Sequence, residues 1–173
     1  MTAYAFDIPI EPMPAPRART SKLGGYFKDE YNIWRKRVDM WFNDFLSATN
    51  YELIFRMNGS EDGYKTIRDI KSGLPRDPET GKLRGKLRSD FIGYRFTITY
   101  VVTRPNNEYR PFPVKRADID NYTKATIDAL FENHNFYDMG INDQFIQILN
   151  TSKRYTKLDT DEKPHIEVVV EYL

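Results

Sequence analysis

The clearest alternation of apolar and polar residues in the chain runs from Phe91 to Thr103. From Tyr94 onward, aromatic and β-branched residues occupy every second position, and most of the residues between them are threonine or arginine. This period of two predicts a strand with one buried face. The apolar positions are Tyr94, Phe96, Ile98, Tyr100 and Val102.

A second pattern, from Asp29 to Leu46, has apolar residues at spacings of three and four. That period predicts an amphipathic helix, and Asp29 is a favourable residue for its N-terminal cap. We expect Trp34 and Trp41 to lie in the core because both belong to the apolar stripe. The stripe consists of Ile33, Trp34, Val38, Trp41, Phe42 and Phe45.

Weaker patterns predict the remaining elements of the fold. They are a first strand at 4–10, a second helix at 120–132, a short strand at 145–149 and a terminal strand at 166–170. The order strand, helix, strand, helix, strand, strand predicts an α+β fold in which two main helices pack on a mixed β-sheet. A length of 173 residues is typical of a single domain.

Residues 58–90 differ from the rest because glycines interrupt them and their apolar periodicity is weak. We interpret them as a basic loop or subdomain inserted between helix and sheet, since structureless loops of this length are unusual inside compact domains. Two hypotheses remain for its charges, DNA contact or simple solvation. The basic residues are Lys65, Arg68, Lys71, Arg76, Lys82, Arg84, Lys86 and Arg88.

Composition excludes several kinds of chemistry. The chain has no cysteine, which excludes thiol nucleophiles, disulfides and cysteine-bound zinc. It has two histidines, His134 and His165, and we expect both to be loop or surface residues rather than metal ligands. The formal net charge is +1, so any basic surface must arise from local clustering. Catalysis would therefore depend on carboxylates, lysine and a metal ion.

The sequence predicts no contact with a membrane. No basic segment followed by an apolar run begins the chain, and no apolar stretch is long enough to span a bilayer. We expect a cytoplasmic protein, or one in the host cytoplasm if a phage encodes it.

The most informative motif is Asp118-x-Asp120, followed by Lys124. In an extended segment Asp118 and Asp120 would share one face, roughly 7 Å apart. Lys124 would lie one helical turn beyond Asp120. Carboxylate oxygens suit Mg²⁺ or Mn²⁺ better than zinc or copper, so this pattern predicts a hard-metal site directed at phosphate.

Simpler explanations exist for the same residues. Asp118 and Asp120 could be a turn and a helix cap, because aspartate is favoured in both positions. Asp128 lies one turn after Lys124, and we expect it to form an ion pair with that lysine on the helix surface.

Taken together, the acidic motif and the start of the chain resemble the RusA family of Holliday-junction resolvases. The resemblance includes the N-terminal segment at 8–12, which is followed by a Pro-Arg-x-Arg loop, and it leaves out roughly residues 50–90. It implies a homodimeric, Mg²⁺-dependent endonuclease with an α+β fold that cuts four-way DNA junctions in recombination and repair. Such proteins are common in phages and prophages. The motif that carries it is Asp118-x-Asp120-Asn121-x-x-Lys124, then Asp128-Ala129-Leu130, then Asp143.

By that resemblance Asp118, Asp120 and Asp143 would bind the metal, and Lys124 would be the catalytic lysine. The chain departs from the family at Asn142 and Phe145, where an acidic residue and a glutamine are usual. The resemblance therefore predicts that three carboxylates converge on one site.

Basic residues outside this motif are candidates for phosphate contacts, which position DNA without determining sequence preference. Three functions stay open: a junction-resolving endonuclease, a less selective structure-specific nuclease, and a DNA-binding module without catalysis. The candidate DNA-binding residues are Arg17, Arg19, Lys22, Arg116, Lys153 and Arg154.

Overall fold

The computed structural model of the protein describes residues 3–16, 19–21, 24–26, 29–49, 67–68, 75–76, 93–114, 117–132 and 143–173. Most of the prediction for 58–90 lies outside these residues. The strands are β1 (Ala3–Ile8), β2 (Arg19–Ser21), β3 (Gly24–Tyr26), β4 (Ile67–Arg68), β5 (Pro75–Arg76), β6 (Tyr94–Val102), β7 (Ile146–Tyr155) and β8 (His165–Tyr172). The helices are α1 (Asp29–Ala48), α2 (Ile119–Phe131) and a short 3-10 helix at Asp143–Phe145.

One mixed sheet of four strands, in the order β1-β8-β6-β7, forms the centre of the fold. β8 is antiparallel to both β1 and β6, whereas β7 is parallel to β6. Parallel neighbours need a crossover connection, and α2 supplies it between β6 and β7. The α+β prediction of a mixed sheet with two main helices in a single small domain is confirmed.

The core lies between the two helices and one face of the sheet. Tyr94, Phe96, Ile98 and Tyr100 on β6 are fully buried, as their alternation predicted. Burying each such side chain stabilises the fold by about 2 kcal/mol. Phe96 meets Phe131 of α2 with ring centroids 5.6 Å apart, which ties the second helix to the central strand.

Helix α1 buries a stripe against β1. Its first turn carries two acidic residues, which suit the positive end of the helix dipole. Phe6 of β1 lies 5.0 Å from Phe45, centroid to centroid, and Trp41 packs half-buried beside them. Ile33 was wrongly assigned to the stripe: it is 58% exposed, because it lies one residue out of step with the buried positions. These are Tyr31, Trp34, Val38, Phe42 and Leu46.

The last two strands differ in how well the sequence predicted them. β8 was expected at 166–170 and is found there. β7 is twice as long as the predicted strand at 145–149, and Phe145 itself lies in the 3-10 helix. β7 lies at an edge of the sheet and exposes half of its side chains, so its apolar pattern is weak. Among the described helices, none is long and apolar enough to cross a membrane.

Candidate functional site

The acidic motif lies at the N-terminal end of α2. Asp118 is the residue that caps the helix, with extended backbone angles of φ −63° and ψ 148°. Its carbonyl oxygen accepts a hydrogen bond from the Asn121 amide at 3.2 Å, but its carboxylate makes no capping hydrogen bond. The carboxylates of Asp118 and Asp120 are both exposed. The capping hypothesis therefore explains the backbone of Asp118 and leaves its carboxylate free of that role.

The first turn of α2 is fixed against the sheet. Tyr100 of β6 stacks on Tyr122 with ring centroids 5.4 Å apart, and its hydroxyl lies 3.2 Å from Thr123 Oγ1. Burial raises the pKa of Tyr100 to about 12, so the phenol stays neutral in this position. The two carboxylates therefore extend from a rigid helix end.

The N-terminal segment forms the wall next to this helix end. The Ala15 amide donates to the Asn121 carbonyl at 2.9 Å, and Trp34 Nε1 donates to the Glu11 carbonyl at 2.9 Å. Thr103 Oγ1 donates to Glu11 Oε1 at 2.8 Å. A pocket of about 390 Å³ lies between the segment, α1 and α2. Its lining residues are Ile10, Glu11, Pro12, Met13, Pro14, Trp34, Ala117 and Tyr122.

Glu11 is a carboxylate residue lining this pocket that the sequence motif did not indicate. It belongs to the segment at 8–12 that contributed to the family resemblance, but nothing in its spacing connects it with Asp118, more than one hundred residues later. The sequence feature that could have indicated Glu11 is its position between an isoleucine and a proline at the end of a strand.

Two lysines lie near the acidic pair, and their ammonium groups make different hydrogen bonds. Lys153 of β7 donates from Nζ to the Ala117 carbonyl at 2.9 Å, so its ammonium lies one residue from Asp118. Lys124 donates to Asp128 Oδ2 at 2.9 Å. The predicted pairing of Lys124 with Asp128 is confirmed, and it directs the lysine along α2, away from Asp120.

Asp143 lies at the other end of α2. It starts the 3-10 helix before β7, and Ile146 at the start of β7 is opposite Tyr94 at the start of β6. α2 begins beyond the far end of β6 and has 13 residues, which corresponds to about 20 Å. The expected convergence of the three aspartates is therefore not found within the chain.

The structure describes three of the six predicted DNA-binding residues, and they lie in different parts of the fold. Arg17, Lys22, Arg116 and also His134 lie outside the described residues. The backbone of Arg19 is paired with Tyr26 in the β2–β3 hairpin. Among the three that the structure describes, Lys153 is the one with a hydrogen bond beside the acidic pair.

Arg154 instead forms an ion-pair cluster on the sheet face opposite the helices. Its Nη1 and Nη2 bind both oxygens of Glu162, at 3.0 and 2.8 Å, and Nη2 also binds Glu167 Oε1 at 2.5 Å. The hydrogen bonds from Arg154 lower the pKa of Glu162 to about 2, and those from Glu162 raise the pKa of Arg154. A phosphate contact by Arg154 would require breaking this cluster.

The same cluster contains a group that could bind a metal ion. Glu162, His165 and Glu167 each offer a ligand atom, and these atoms lie within 4.8 Å of one another. His165 Nδ1 lies 2.7 Å from the Lys163 carbonyl, and Nε2 lies 3.3 Å from Glu167 Oε1. His165 is thus half-buried in an acidic surrounding that the sequence did not predict. The carboxylates of this group already share the positive charge of Arg154.

The carboxylates of Glu162 and Glu167 are paired with Arg154, whereas the carboxylate of Asp118 makes no capping hydrogen bond. Asp118 and Asp120 offer the hard oxygen ligands that suit Mg²⁺ or Mn²⁺. No third carboxylate among the residues placed by the structure joins them within 4.8 Å.

Neither a protein-family model nor a curated protein matches this chain.

Proposed function

We propose that this protein is a Mg²⁺-dependent endonuclease that cuts branched DNA, and that four-way junctions are its substrate. The observation that carries the proposal is the exposed carboxylate of Asp118, which is not used for helix capping and stands beside Asp120 on a fixed helix end. The RusA-like spacing from Asp118 to Lys124 supports it.

In this proposal Asp118 and Asp120 bind the cation. A bound Mg²⁺ or Mn²⁺ would supply an activated water and would polarise the phosphoryl oxygens. The ammonium of Lys153 offsets part of the negative charge that would otherwise repel the DNA backbone, and it keeps Ala117 in place. Lys124 is exposed, and its surface ion pair with Asp128 is weak enough to exchange for a phosphate.

We infer that Asp143 reaches the site from a second copy of the chain. A twofold axis that sets two α2 helices antiparallel places the C-terminal end of one beside the N-terminal end of the other. Asp143 of the partner subunit then completes the set of carboxylates. The same symmetry supplies two matching sites, which paired nicks in a four-way junction require.

A second candidate function is a DNA-binding module without catalysis. The separation of Asp143 from the acidic pair favours it, since two exposed carboxylates form an incomplete metal site on their own. The same site in a less selective nuclease would cut flaps and junctions alike. Comparing the cleavage of a junction, a flap and a duplex separates these candidate functions.

The decisive experiment incubates a labelled four-way junction, a flap and a linear duplex with the protein and Mg²⁺. We expect symmetric nicks in the junction, little cutting of the duplex, and binding without cutting by Asp120→Asn. Asp44→Asn is the matched control because it removes an exposed carboxylate from α1, and it should cut like the wild type. A folded wild type that binds the junction but makes no nick refutes the nuclease.

A further inference from the structure

The loop that precedes the acidic motif, residues 103–114, is rigidly anchored at one arginine. Arg104 donates from Nε to the Thr156 carbonyl at 2.8 Å, and from Nη1 to the carbonyls of Glu108 and Arg110 at 2.8 and 2.7 Å. Its guanidinium also lies 5.2 Å from the centre of the Tyr155 ring. We call this segment the anchored loop, because these contacts fix its backbone to the end of β7.

A local ion pair stiffens the tip of the anchored loop. Arg110 donates from Nε to Glu108 Oε1 at 2.9 Å, and its backbone amide donates to the same oxygen at 3.0 Å. These hydrogen bonds lower the pKa of Glu108 to about 2, so the carboxylate stays ionised at neutral pH. These contacts link the two residues on either side of Tyr109.

The anchored loop exposes large apolar side chains from this fixed backbone. Tyr109 is 75% exposed, and Phe112 and Val114 are each 62% exposed. A single exposed apolar residue is ordinary, but three within six positions on a fixed loop indicate a contact surface. Because the loop backbone is already anchored, binding at these side chains needs little further ordering of the backbone.

The anchored loop and the acidic pair lie at the same end of β7. The Tyr155 amide donates to the Pro111 carbonyl at 3.0 Å, and Lys153 Nζ donates to the Ala117 carbonyl at 2.9 Å. Two residues of a strand span roughly 7 Å, so the two anchoring points are close neighbours. The anchored loop and the acidic pair are therefore held at the same end of the sheet.

We propose that Tyr109 and Phe112 stack on unpaired bases at the branch point of a DNA junction. The inference rests on the proposed function and specifies how that site selects branched DNA. The rings are separated by Arg110 and Pro111, which suits flat bases on a charged strand better than a continuous apolar protein surface. Every base presents a face to an aromatic ring, so such contacts discriminate branched from fully paired DNA without selecting a sequence.

The test measures binding of a four-way junction and of a linear duplex in the Asp120→Asn background, which keeps the DNA uncut. We expect Tyr109→Leu/Phe112→Leu to weaken junction binding by about 10-fold or more, because each stacked ring contributes substantially to affinity. Duplex binding should change by less than about 2-fold. Tyr109→Phe keeps the ring and should bind the junction like the parent protein.

Met40→Ala is the matched control, because Met40 is a similarly exposed apolar side chain, at 66%, on α1. Equal losses on junction and duplex, or no loss on either, overturn the proposal. It also falls if the double substitution changes the sedimentation of the DNA-free protein, which would assign the rings to contacts between copies. Ring-dependent junction binding by a wild type that cannot cut would reject the nuclease and keep this inference.

Discussion

The protein carries two groups of acidic side chains that differ in how their charge is compensated. At the N-terminal end of α2, Asp118 and Asp120 are exposed, and the carboxylate of Asp118 makes no capping hydrogen bond. On the open face of the sheet, Glu162 and Glu167 bind Arg154 at 2.8 and 2.5 Å. Proximity of ligand atoms alone favours the second group as a metal site. The proposal favours the first, because the carboxylate of Asp118 is not used for helix capping.

The ligand atoms of Glu162, His165 and Glu167 lie close enough to bind a cation, but the two carboxylates are already paired with Arg154. A carboxylate whose oxygens already accept hydrogen bonds from a guanidinium gains little from a cation, because the arginine must first be displaced. Glu162 uses both oxygens on Arg154 and also accepts the Lys157 amide at 2.6 Å. We therefore interpret the Arg154 cluster as a structural element that joins β7 and β8, and the pair at α2 as a site where the carboxylate of Asp118 is not used for helix capping.

The largest expected effect is on cutting. Asp118→Asn should lower the rate of junction cleavage by roughly 10³-fold or more, since it removes a ligand of the metal that activates the water. Glu162→Gln should leave the rate within about 2-fold of the wild type, because its charge serves the Arg154 cluster. Single-turnover cleavage measures both. A large loss in Glu162→Gln and none in Asp118→Asn would exchange the roles of the two groups.

A mixing experiment tests the origin of the third carboxylate. Asp120→Asn and Asp143→Asn should each be inactive, but heterodimers formed from both should regain one intact site. Random reassortment should restore roughly a quarter of the wild-type sites, and each junction should receive a single nick. If heterodimers form and remain inactive, Asp143 does not act from the partner subunit.

Replacing Lys153 should lower the rate of junction cleavage less than replacing Asp118 does. Lys153→Met removes the ammonium next to Asp118, so we expect cleavage to fall about 10-fold as the acidic pair repels the phosphate more strongly. Lys157→Met is the matched control, since Lys157 is an exposed lysine just beyond the end of β7. Equal rates in the two variants would remove Lys153 from the site.

The smallest effect is on stability. Glu162→Gln should lower the free energy of unfolding at pH 7 by about 1 kcal/mol, as expected for a partly exposed ion pair. In the folded protein the pKa of Glu162 falls from its ordinary 4.5 to about 2, so the folded state binds fewer protons than the unfolded state. The contribution is therefore complete above about pH 4.5 and is lost as the pH falls toward 2.

Urea unfolding of wild type and Glu162→Gln at pH 7 and at pH 3 measures this difference. Asp161→Asn serves as the control, because it neutralises an exposed carboxylate next to Glu162. A difference between wild type and variant that is as large at pH 3 as at pH 7 would exclude the ion pair as its cause.

The sequence predicted those parts of the fold that have a strict period. β6 alternates because one face is fully buried, and α1 repeats at three and four because one stripe faces β1. β7 was predicted too short because an edge strand with exposed side chains has little apolar pattern. Local periodicity reports burial, so an element with little burial is hard to predict.

The same distinction applies to the candidate site. Features set by local spacing could be predicted from the sequence, whereas positions set by strand pairing could not. The spacing of Asp118 and Asp120 is local, and the start of the helix gives it a fixed geometry. The position of Asp143 depends on the pairing of β7 with β6, since a parallel neighbour starts at the end of the sheet opposite α2's first turn. The cluster of Arg154 with Glu167 depends on strand order as well, because these residues lie on β7 and β8 with β6 between them.

The most direct test of metal binding at Asp118 and Asp120 follows Mn²⁺ titrated into the isotope-labelled protein by nuclear magnetic resonance. The paramagnetic ion broadens signals near its binding site. We predict broadening at the amides of Asn121 and Tyr122, lost in Asp118→Asn/Asp120→Asn and retained in Glu162→Gln. Broadening centred on His165 and Glu167, with the start of α2 unaffected, would contradict the account.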